Sequence, residues 1–341
     1  MPVAVAMSGG VDSTTAALLL KKSGHQVVGF HMVIHEGSAK TWLLAQRAAR
    51  QVGVPIHMVD LSRQFRDLVV EPFVRAYSMG CTPSPCPICN RFIKMRLLFE
   101  RARALGCDRL ATGHYARIEK GTDEYLLLRG VDKTKDQSYF LFMMTQEILR
   151  RTVFPLGRLT KEYVRQFLRS QGLTISESEE SQELCFIPHG DYQEVLRRGG
   201  VAAEPGPIVD MTGKVLGTHK GITRYTVGQR RGIGISAARP LYVVRIDAGT
   251  NRIVVGTRDE TFVSTLKIRG FNAITVREPG AGDSFRCKIR STARPVPATV
   301  THRDDTTIEL SFHEPQSGVA PGQAAVLYSE DMVIGGGWID R

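Results

Sequence analysis

Two short segments of this chain carry residue types that do chemistry. Near the N-terminus, Met7-Ser8-Gly9-Gly10-Val11-Asp12-Ser13 follows the apolar run Val3-Ala4-Val5-Ala6 and leads into a helix-like run over 14–22. A glycine-rich turn between a strand and a helix is a common way to hold a phosphate chain. Glycines reach positive φ and present bare N–H groups, and the helix points its positive end at the same spot. Ser8 and Ser13 add hydroxyl donors, and Asp12 is placed to orient the loop or to help bind a magnesium ion. The segment lacks the Gly-Lys-Ser/Thr ending of a Walker loop, and it is not a dinucleotide-binding G-x-G-x-x-G.

The second segment is Cys81-Thr82-Pro83-Ser84-Pro85-Cys86-Pro87-Ile88-Cys89-Asn90. It holds three of the six cysteines, the others being Cys107, Cys185 and Cys287. Such clustering points to metal, redox or sulfur chemistry rather than to a structural disulfide framework. Prolines at 83, 85 and 87 argue against a helix and predict a stiff loop, which holds thiols near a reacting atom at low entropic cost. Arg91 and Lys94, with the start of the next helix, are expected to lower the pKa of a nearby thiol, which makes Cys89 a candidate nucleophile. Cys185 taken alone reads as a buried apolar residue, and Cys107 and Cys287 as plain core or surface positions.

The elements that must position these residues follow from the pattern of the whole chain. At 341 residues it suits two or three domains. Apolar residues make up 42%, as in soluble globular proteins. No run of about 18 apolar residues occurs, so no membrane span or membrane partner is expected. The N-terminus lacks a signal-peptide pattern, and a cytoplasmic location is expected. A net charge of +11 suggests a polyanionic partner such as nucleic acid. The first half alternates strands (Val27–Val33, Ile56–Asp60, 109–113) with helices (39–51, 64–79, 91–104), which predicts a mainly parallel sheet with ligands at the strand C-termini. Helical sequence continues over 160–170, and a Gly/Pro-rich change of composition over 197–207 reads as a linker. Beyond it come short strands at 241–246, 252–255, 285–289, 298–301 and 307–312, the signature of a small barrel.

Ser-Gly-Gly-Val-Asp-Ser after a first strand resembles the PP-loop of the ATP pyrophosphatases, which cleave ATP between the α- and β-phosphates. Thr82-Pro83-Ser84-Pro85, Cys89-Asn90 and Ile93-Lys94 resemble the first catalytic loop of the tRNA-specific 2-thiouridylases. So do, in family order, Ala111-Thr112-Gly113-His114-Tyr115, Lys135-Asp136-Gln137-Ser138-Tyr139-Phe140-Leu141, Cys185-Phe186-Ile187, Gly228-Gln229-Arg230-Arg231-Gly232-Ile233-Gly234 and Pro321-Gly322-Gln323. The resemblance covers nearly the whole chain. It implies an α/β fold: a PP-loop domain with a parallel sheet, like the adenine nucleotide hydrolases (1–200), a small β-rich central domain (201–266) and a C-terminal, tRNA-contacting β-barrel (267–341). It also implies a reaction in which ATP, with magnesium, adenylates the C2 oxygen of the wobble uridine in tRNAs for Glu, Gln and Lys. Pyrophosphate leaves, a persulfide sulfur attacks C2, and AMP departs.

By residue, the resemblance puts ATP on Ala6, Met7, Ser8, Gly9, Gly10, Val11, Asp12 and Ser13, with Met32 and Gly113 against the adenosine. It puts the persulfide on Cys185 with Cys89 as its partner nucleophile, and Ser84, Pro85 and Cys86 beside the target base. It turns His114, Lys135, Asp136, Gln137, Arg290, Ser291 and Gln323 toward tRNA. A sulfur donor, either a cysteine desulfurase or a relay protein, is implied as a partner. Ser291 departs from the aromatic residue often found in the family, which weakens base stacking there. Cys86 departs from a frequent Asp. The change creates Cys86-x-x-Cys89, which with Cys185 suits a 4Fe–4S cluster with one open iron. With Cys81 the spacing also matches a plant-type ferredoxin, and a zinc site is a further alternative.

Overall fold

The computed structural model describes residues 1–340 apart from 36, 37, 174, 176–183, 188 and 189, with backbone alone for 39 and 40. The apolar strand Val3–Ala6 is the centre of a five-stranded parallel sheet in the order Ile56–Asp60, Val27–Val33, Val3–Ala6, Arg109–Ala111, Thr152–Val153. Val3 pairs with Val27 on one side and Arg109 on the other. Both faces are covered, so the central strands read as continuous apolar runs rather than alternating ones. Val3 and Val5 face a core with Ala16, Ala17, Leu20, Ala48 and Val52, from the helices Val11–Lys22 and Ser38–Val52. Ala4 faces the opposite core with Phe30, Phe65, Ile93, Leu98 and Leu110. The first crossovers build the sheet outward to one side of Val3–Ala6, and Arg109–Ala111 then adds on the other side. Strand order therefore reverses between Val3–Ala6 and Arg109–Ala111, and the crevice at the C-terminal ends of such a pair is where open α/β sheets bind ligands.

The helix expected over 64–79 is present as one helical run, Ser62–Phe65, Arg66–Val70 and Glu71–Ser78, with a widened π-type stretch in its middle. The cysteine segment differs from its expected stiff, non-helical loop. A helical turn begins at Cys86–Ile88 and runs on through Cys89–Leu98, again π-type, into Phe99–Ala104. Pro85 is the cap residue and Pro87 lies in the first turn, where the missing proline N–H has no intrahelical partner to lose. Cys86 and Cys89 consequently stand three apart on one helix face instead of on a stiff loop.

A hairpin that the sequence pattern did not reveal, Ala116–Lys120 with Tyr125–Arg129, leaves the N-terminal unit and extends the C-terminal sheet through Met332 paired with Leu128. That sheet closes as a six-stranded barrel in the order Phe262–Ala273, Thr307–Ser317, Val296–Arg303, Ser284–Lys288, Ala324–Ser329, Met332–Asp340, the last pairing back to the first. Closure removes the sheet edges. Between the two units lies a four-stranded sheet of Tyr242–Asp247, Arg252–Gly256, Gly206–Val209 and Val215–His219, around Ile208, Val243, Ile253 and Val255.

A polar network locks the hairpin and barrel together. The Asp136 carboxylate is 1% exposed and pairs with Arg129 Nε at 3.0 Å. It also accepts from the Gly130 and Ser138 amides, each at 3.1 Å, and from Ser138 Oγ at 3.1 Å. Ser138 Oγ lies 3.2 Å from Tyr328 Oη in the barrel, and Tyr139 Oη donates to Ala324 O at 2.8 Å. Asp136 is thus turned inward rather than toward an RNA. Asp136→Ala strands Arg129 and two amides without their acceptor, and is expected to cost about 3–5 kcal/mol. Urea unfolding of the variant beside the parent measures it, and an unchanged midpoint would show that the network contributes nothing.

Candidate active site

The first loop of the crevice is built by two glycines with different tasks. Gly9 has φ +86°, and a Cβ there would stand 2.6 Å from Ala45 N and from Leu44 C, so backbone conformation and space both require glycine. Gly10 does not share the expected positive φ. It is extended, at φ −81°, and caps the helix Val11–Lys22 without a side-chain bond. The first-turn amides are left for water or a ligand. Ser13 Oγ accepts from Ser8 N at 3.2 Å and lies 3.2 Å from Ser8 Oγ, which ties the loop across its mouth. The second loop comes so close that a Cβ on Gly113 would stand 2.9 Å from Asp12 C.

Asp12 joins the two loops to a third element. Both carboxylate oxygens accept from Lys161 Nζ at 2.8 Å, and Oδ1 also accepts from Tyr115 Oη at 2.8 Å. The Lys161 side chain is 10% exposed and lies 5.9 Å from the Tyr115 ring centroid. It opens the helix Lys161–Ser170, behind the cap residue Thr160. A buried ammonium needs a close counter-ion, so the pair fixes Asp12 as an orienting group. Lys161 is 149 positions from Asp12, and no local spacing signals it. His31 also lines the crevice, at the strand end where ligands are expected. Buried at the end of Val27–Val33, its Nδ1 lies 2.8 Å from Met7 O and its Nε2 3.2 Å from Thr41 Oγ1. Burial holds its pKa below the ordinary 6.5.

The two loops open into a cavity of about 420 Å³ that brings most of the expected site together, a size that fits a small organic ligand. Ala6, Met7, Ser8, Asp12, Ser13, Met32 and Gly113 line it together with Pro85, Cys86, Cys89, His114, Gln137 and Cys185. Gly9, Gly10 and Val11 belong to the same loop but are not among the lining residues. Ser84 is buried just outside. Gln137 Oε1 accepts from Tyr115 N at 3.0 Å. The His114 ring is buried, lies 2.6 Å from Thr112 Oγ1 and packs edge-on against Phe154. Burial, with Lys94 nearby, holds its pKa well below 6.5, so it faces the cavity as a neutral imidazole.

Lys135 is half-buried next to the network of Asp136. Arg290 and Ser291 lie away from the cavity on the exposed barrel surface. Gln323 is used inside the protein: its Nε2 donates to Thr82 O at 2.8 Å, while Thr82 N donates to Pro321 O at 2.8 Å. The barrel therefore braces the segment that leads to the cysteines.

Cys86, Cys89 and Cys185 share the cavity and influence one another electrostatically. Cys185 is exposed to the cleft, although enough atoms surround its sulfur to desolvate it, and Cys89 is buried. Lys94, whose Nζ donates to Asn90 Oδ1 at 2.9 Å, pulls all three thiols toward ionisation, as its sequence position suggested. Burial outweighs it. It pushes Cys86 up to about 11 and Cys89 up to about 12, and it raises Cys185 as well. The expected net lowering is thus reversed, because desolvation of a thiolate exceeds the attraction of one ammonium. Arg91 does not take part; its Nη1 donates to Asn272 Oδ1 at 3.3 Å. Cys81 is not in this cavity either. It packs against Gly322, and burial with Asp340 raises its pKa. Among the described residues, no three His, Cys, Asp or Glu side chains converge on a metal position. Cys107 and Cys287 are core residues.

These environments set an order of reactivity. With a pKa near 12, Cys89 is ionised to well under about one part in 10³ at neutral pH, whereas thiolate is the reacting form. Iodoacetamide at pH 7.5 is expected to modify Cys185 first and Cys89 at least about tenfold more slowly, as read by peptide mass mapping. Equal rates would contradict the burial of Cys89.

Comparison with known proteins agrees with this architecture along the whole chain. Residues 1–189 match the tRNA methyl transferase HUP domain, 194–257 the tRNA methyl transferase PRC-barrel domain and 263–339 the Aminomethyltransferase beta-barrel domain. A tRNA-specific 2-thiouridylase MnmA of Syntrophotalea carbinolica is 46% identical over 99% of this chain and 98% of its own length. Proteins of that name from Geotalea uraniireducens and Chloroflexus aurantiacus are each 44% identical over 99% of this chain, and over 95% and 98% of their own lengths. A solved U34-tRNA thiolase NcsA from Methanococcus maripaludis is 17% identical, covers 58% of this chain and 65% of its own, and gives a TM-score of 0.36, too little to bear on the site. With relatives of that name 44–46% identical over nearly its full length, this chain belongs to the tRNA-specific 2-thiouridylase family.

Proposed function

We propose that this enzyme thiolates C2 of the wobble uridine in tRNAs for Glu, Gln and Lys, consuming ATP, and that Cys185 carries the sulfur. The observation that supports this most is a shared space: the glycine-rich loop and an accessible cysteine line one cavity. Residues 1–200 form the catalytic unit, 201–266 the central unit and 267–341 the tRNA-contacting barrel, in a cytoplasmic enzyme. Among the described residues no helix is long and apolar enough to cross a membrane.

ATP lies with its phosphates on Ala6–Ser13 and its adenosine against Met32 and Gly113. Asp12, held by Lys161 and Tyr115, keeps the loop in register; a magnesium ion would come with the ATP phosphates and neutralise part of their charge. Attack by the uridine O2 on the α-phosphorus expels pyrophosphate and turns a poor leaving group into AMP. The terminal sulfur of a Cys185 persulfide adds to C2, and AMP leaves with the former O2. The Cys89 thiol then attacks the Cys185 sulfur, and its proton passes to N3 of the base, which substitution at C2 has left unprotonated. The S–S bond to the base breaks, 2-thiouridine departs, and a Cys89–Cys185 disulfide remains for an external dithiol to reduce. Two thiols thus supply the two electrons that take the sulfane sulfur to the thiocarbonyl level. Lys94 favours the anionic sulfur at each stage, and the neutral His114 can donate a hydrogen bond to the base without adding charge. Cys185 and Phe186 also border a second cavity of about 1170 Å³, which gives a sulfur donor, a desulfurase or relay protein, its own approach to Cys185.

Cys185→Ser is expected to keep tRNA-dependent pyrophosphate release and lose 2-thiouridine. Normal thiolation by this variant would remove Cys185 from the mechanism. A 4Fe–4S cluster on Cys86, Cys89 and Cys185 is the second reading, favoured by their common cavity, although their side chains do not converge on a metal position. Iron and acid-labile sulfide in protein purified without oxygen separate the two. About four of each per chain, lost in Cys86→Ala, would select the cluster. Neither element, with thiolation from a persulfide donor intact, would select Cys185 alone.

Lys161→Met is expected to lower pyrophosphate release on the order of 10²-fold by misplacing the phosphate loop, with Cys185 alkylation unchanged and partial recovery in Lys161→Arg. Full activity of the Met variant would mean that Asp12 needs no such support.

A further inference from the structure

The motif Gly228-Gln229-Arg230-Arg231-Gly232-Ile233-Gly234 takes no part in the cavity chemistry, yet its surroundings are unusual. Between Asp210 and Asp247 the chain runs 36 residues without an Asp or Glu and with seven Lys or Arg. In the barrel, 284–303 is likewise free of acid and holds five Lys or Arg. Two basic, acid-free stretches on separate units make a polyanion site only if the fold joins them.

It does. Gly228 has φ +87°, and a Cβ there would stand 2.8 Å from the Gly318 Cα, so the two backbones touch. A Cβ on Gly318 would in turn stand 3.1 Å from Arg290 Nη2, which donates to Ser317 O at 3.2 Å. At the same junction Thr82 Oγ1 donates to Thr226 Oγ1 at 3.2 Å. The central loop, the barrel segment under Arg290 and the segment that presents Ser84 to Cys89 therefore meet at one place.

The loop is also held still. Gly228 N donates to Val243 O at 2.8 Å and Val243 N to Gln229 O at 2.9 Å. The Gln229 side chain accepts from Thr226 N at 3.0 Å and donates to Arg231 O at 2.8 Å. Ile233, 6% exposed, anchors the loop in the central core. Beyond this anchor the chain curls round a hollow of about 380 Å³ lined by Arg230 and Arg239. Arg230, Arg231 and Arg239 are all exposed. Guanidinium groups on a fixed backbone suit bidentate contact with phosphate oxygens at low ordering cost.

We propose that Arg230, Arg231 and Arg239 of the central loop bind the sugar–phosphate backbone of the tRNA, beside Arg290 of the barrel. They set where the RNA stands relative to the cysteine segment. This rests on the reading of tRNA as substrate. Contacts to phosphate position an RNA without reading its sequence, so the loop acts on affinity and placement.

The test is the paired variant Arg230→Gln with Arg231→Gln in the full-length enzyme, with tRNA binding measured across a series of salt concentrations. The expected result is a KM for tRNA raised on the order of tenfold, an unmoved KM for ATP, and a plot of log affinity against log salt shallower by about 1–2. Arg230→Lys with Arg231→Lys keeps both charges and is expected to keep most of the affinity and the slope. A Gln pair with the parental affinity and slope would overturn the role of the loop alone. So would a loss of affinity at unchanged slope, or an equal loss in the Lys pair. Absence of tRNA-stimulated pyrophosphate release in the parent enzyme would overturn the functional reading and the role of the loop together.

Discussion

The ion pair between Asp12 and Lys161 is the constraint on which the rest of the site depends. An ammonium with little exposure must have its counter-charge close by, and here both carboxylate oxygens meet it at 2.8 Å. That requirement settles the rotamer of Asp12, and with it the start of the helix Val11–Lys22. Tyr115 Oη reaches the same carboxylate, so the second crevice loop is placed by the same charge. The backbones of the two loops are then so close that only glycine fits at 113. Three elements distant in sequence are tied at one carboxylate, directly below the place where a phosphate chain would lie.

A second set of ties controls the opposite wall. Thr82 is held by Pro321 and Gln323 of the barrel and by Thr226 of the central unit. The cysteine-bearing helix begins four residues later. The C-terminal half of the chain is thus more than an appended unit. It supports the entry to Cys86 and Cys89, and through Asp136, Ser138 and Tyr328 it is coupled to the hairpin Ala116–Lys120 and Tyr125–Arg129 as well.

Burial dominates the electrostatics of the thiols. Lys94 and a helix start favour thiolate, yet Cys89 is pushed up to about 12 because charge is costly where water is excluded. A resting thiol of this kind resists adventitious chemistry. The two cysteines differ by exposure rather than by residue type: Cys185 opens to the cleft and Cys89 does not.

Much of this protein was legible in the sequence. Val3–Ala6, the phosphate loop and the helix after it are local: apolar run, glycines and helix-start chemistry sit within 22 residues, and the parallel sheet follows from repeated βα units. The motif strings carried the family. What the sequence misjudged was also local in origin. Three prolines argued against a helix at Cys86, whereas their places at a cap and a first turn allow one. Other features are invisible to any window of sequence because they are contacts. Lys161 meets Asp12 across 149 positions, Asp136 turns inward because Arg129 and Ser138 wait there, and Gly228 is a glycine because Gly318 lies against it. Residue order determines which elements form, since propensity and periodicity act over a few positions. Which charges become paired, which thiols lose water and which basic stretches share a face were decided only when the chain packed, because desolvation depends on what surrounds a group in space.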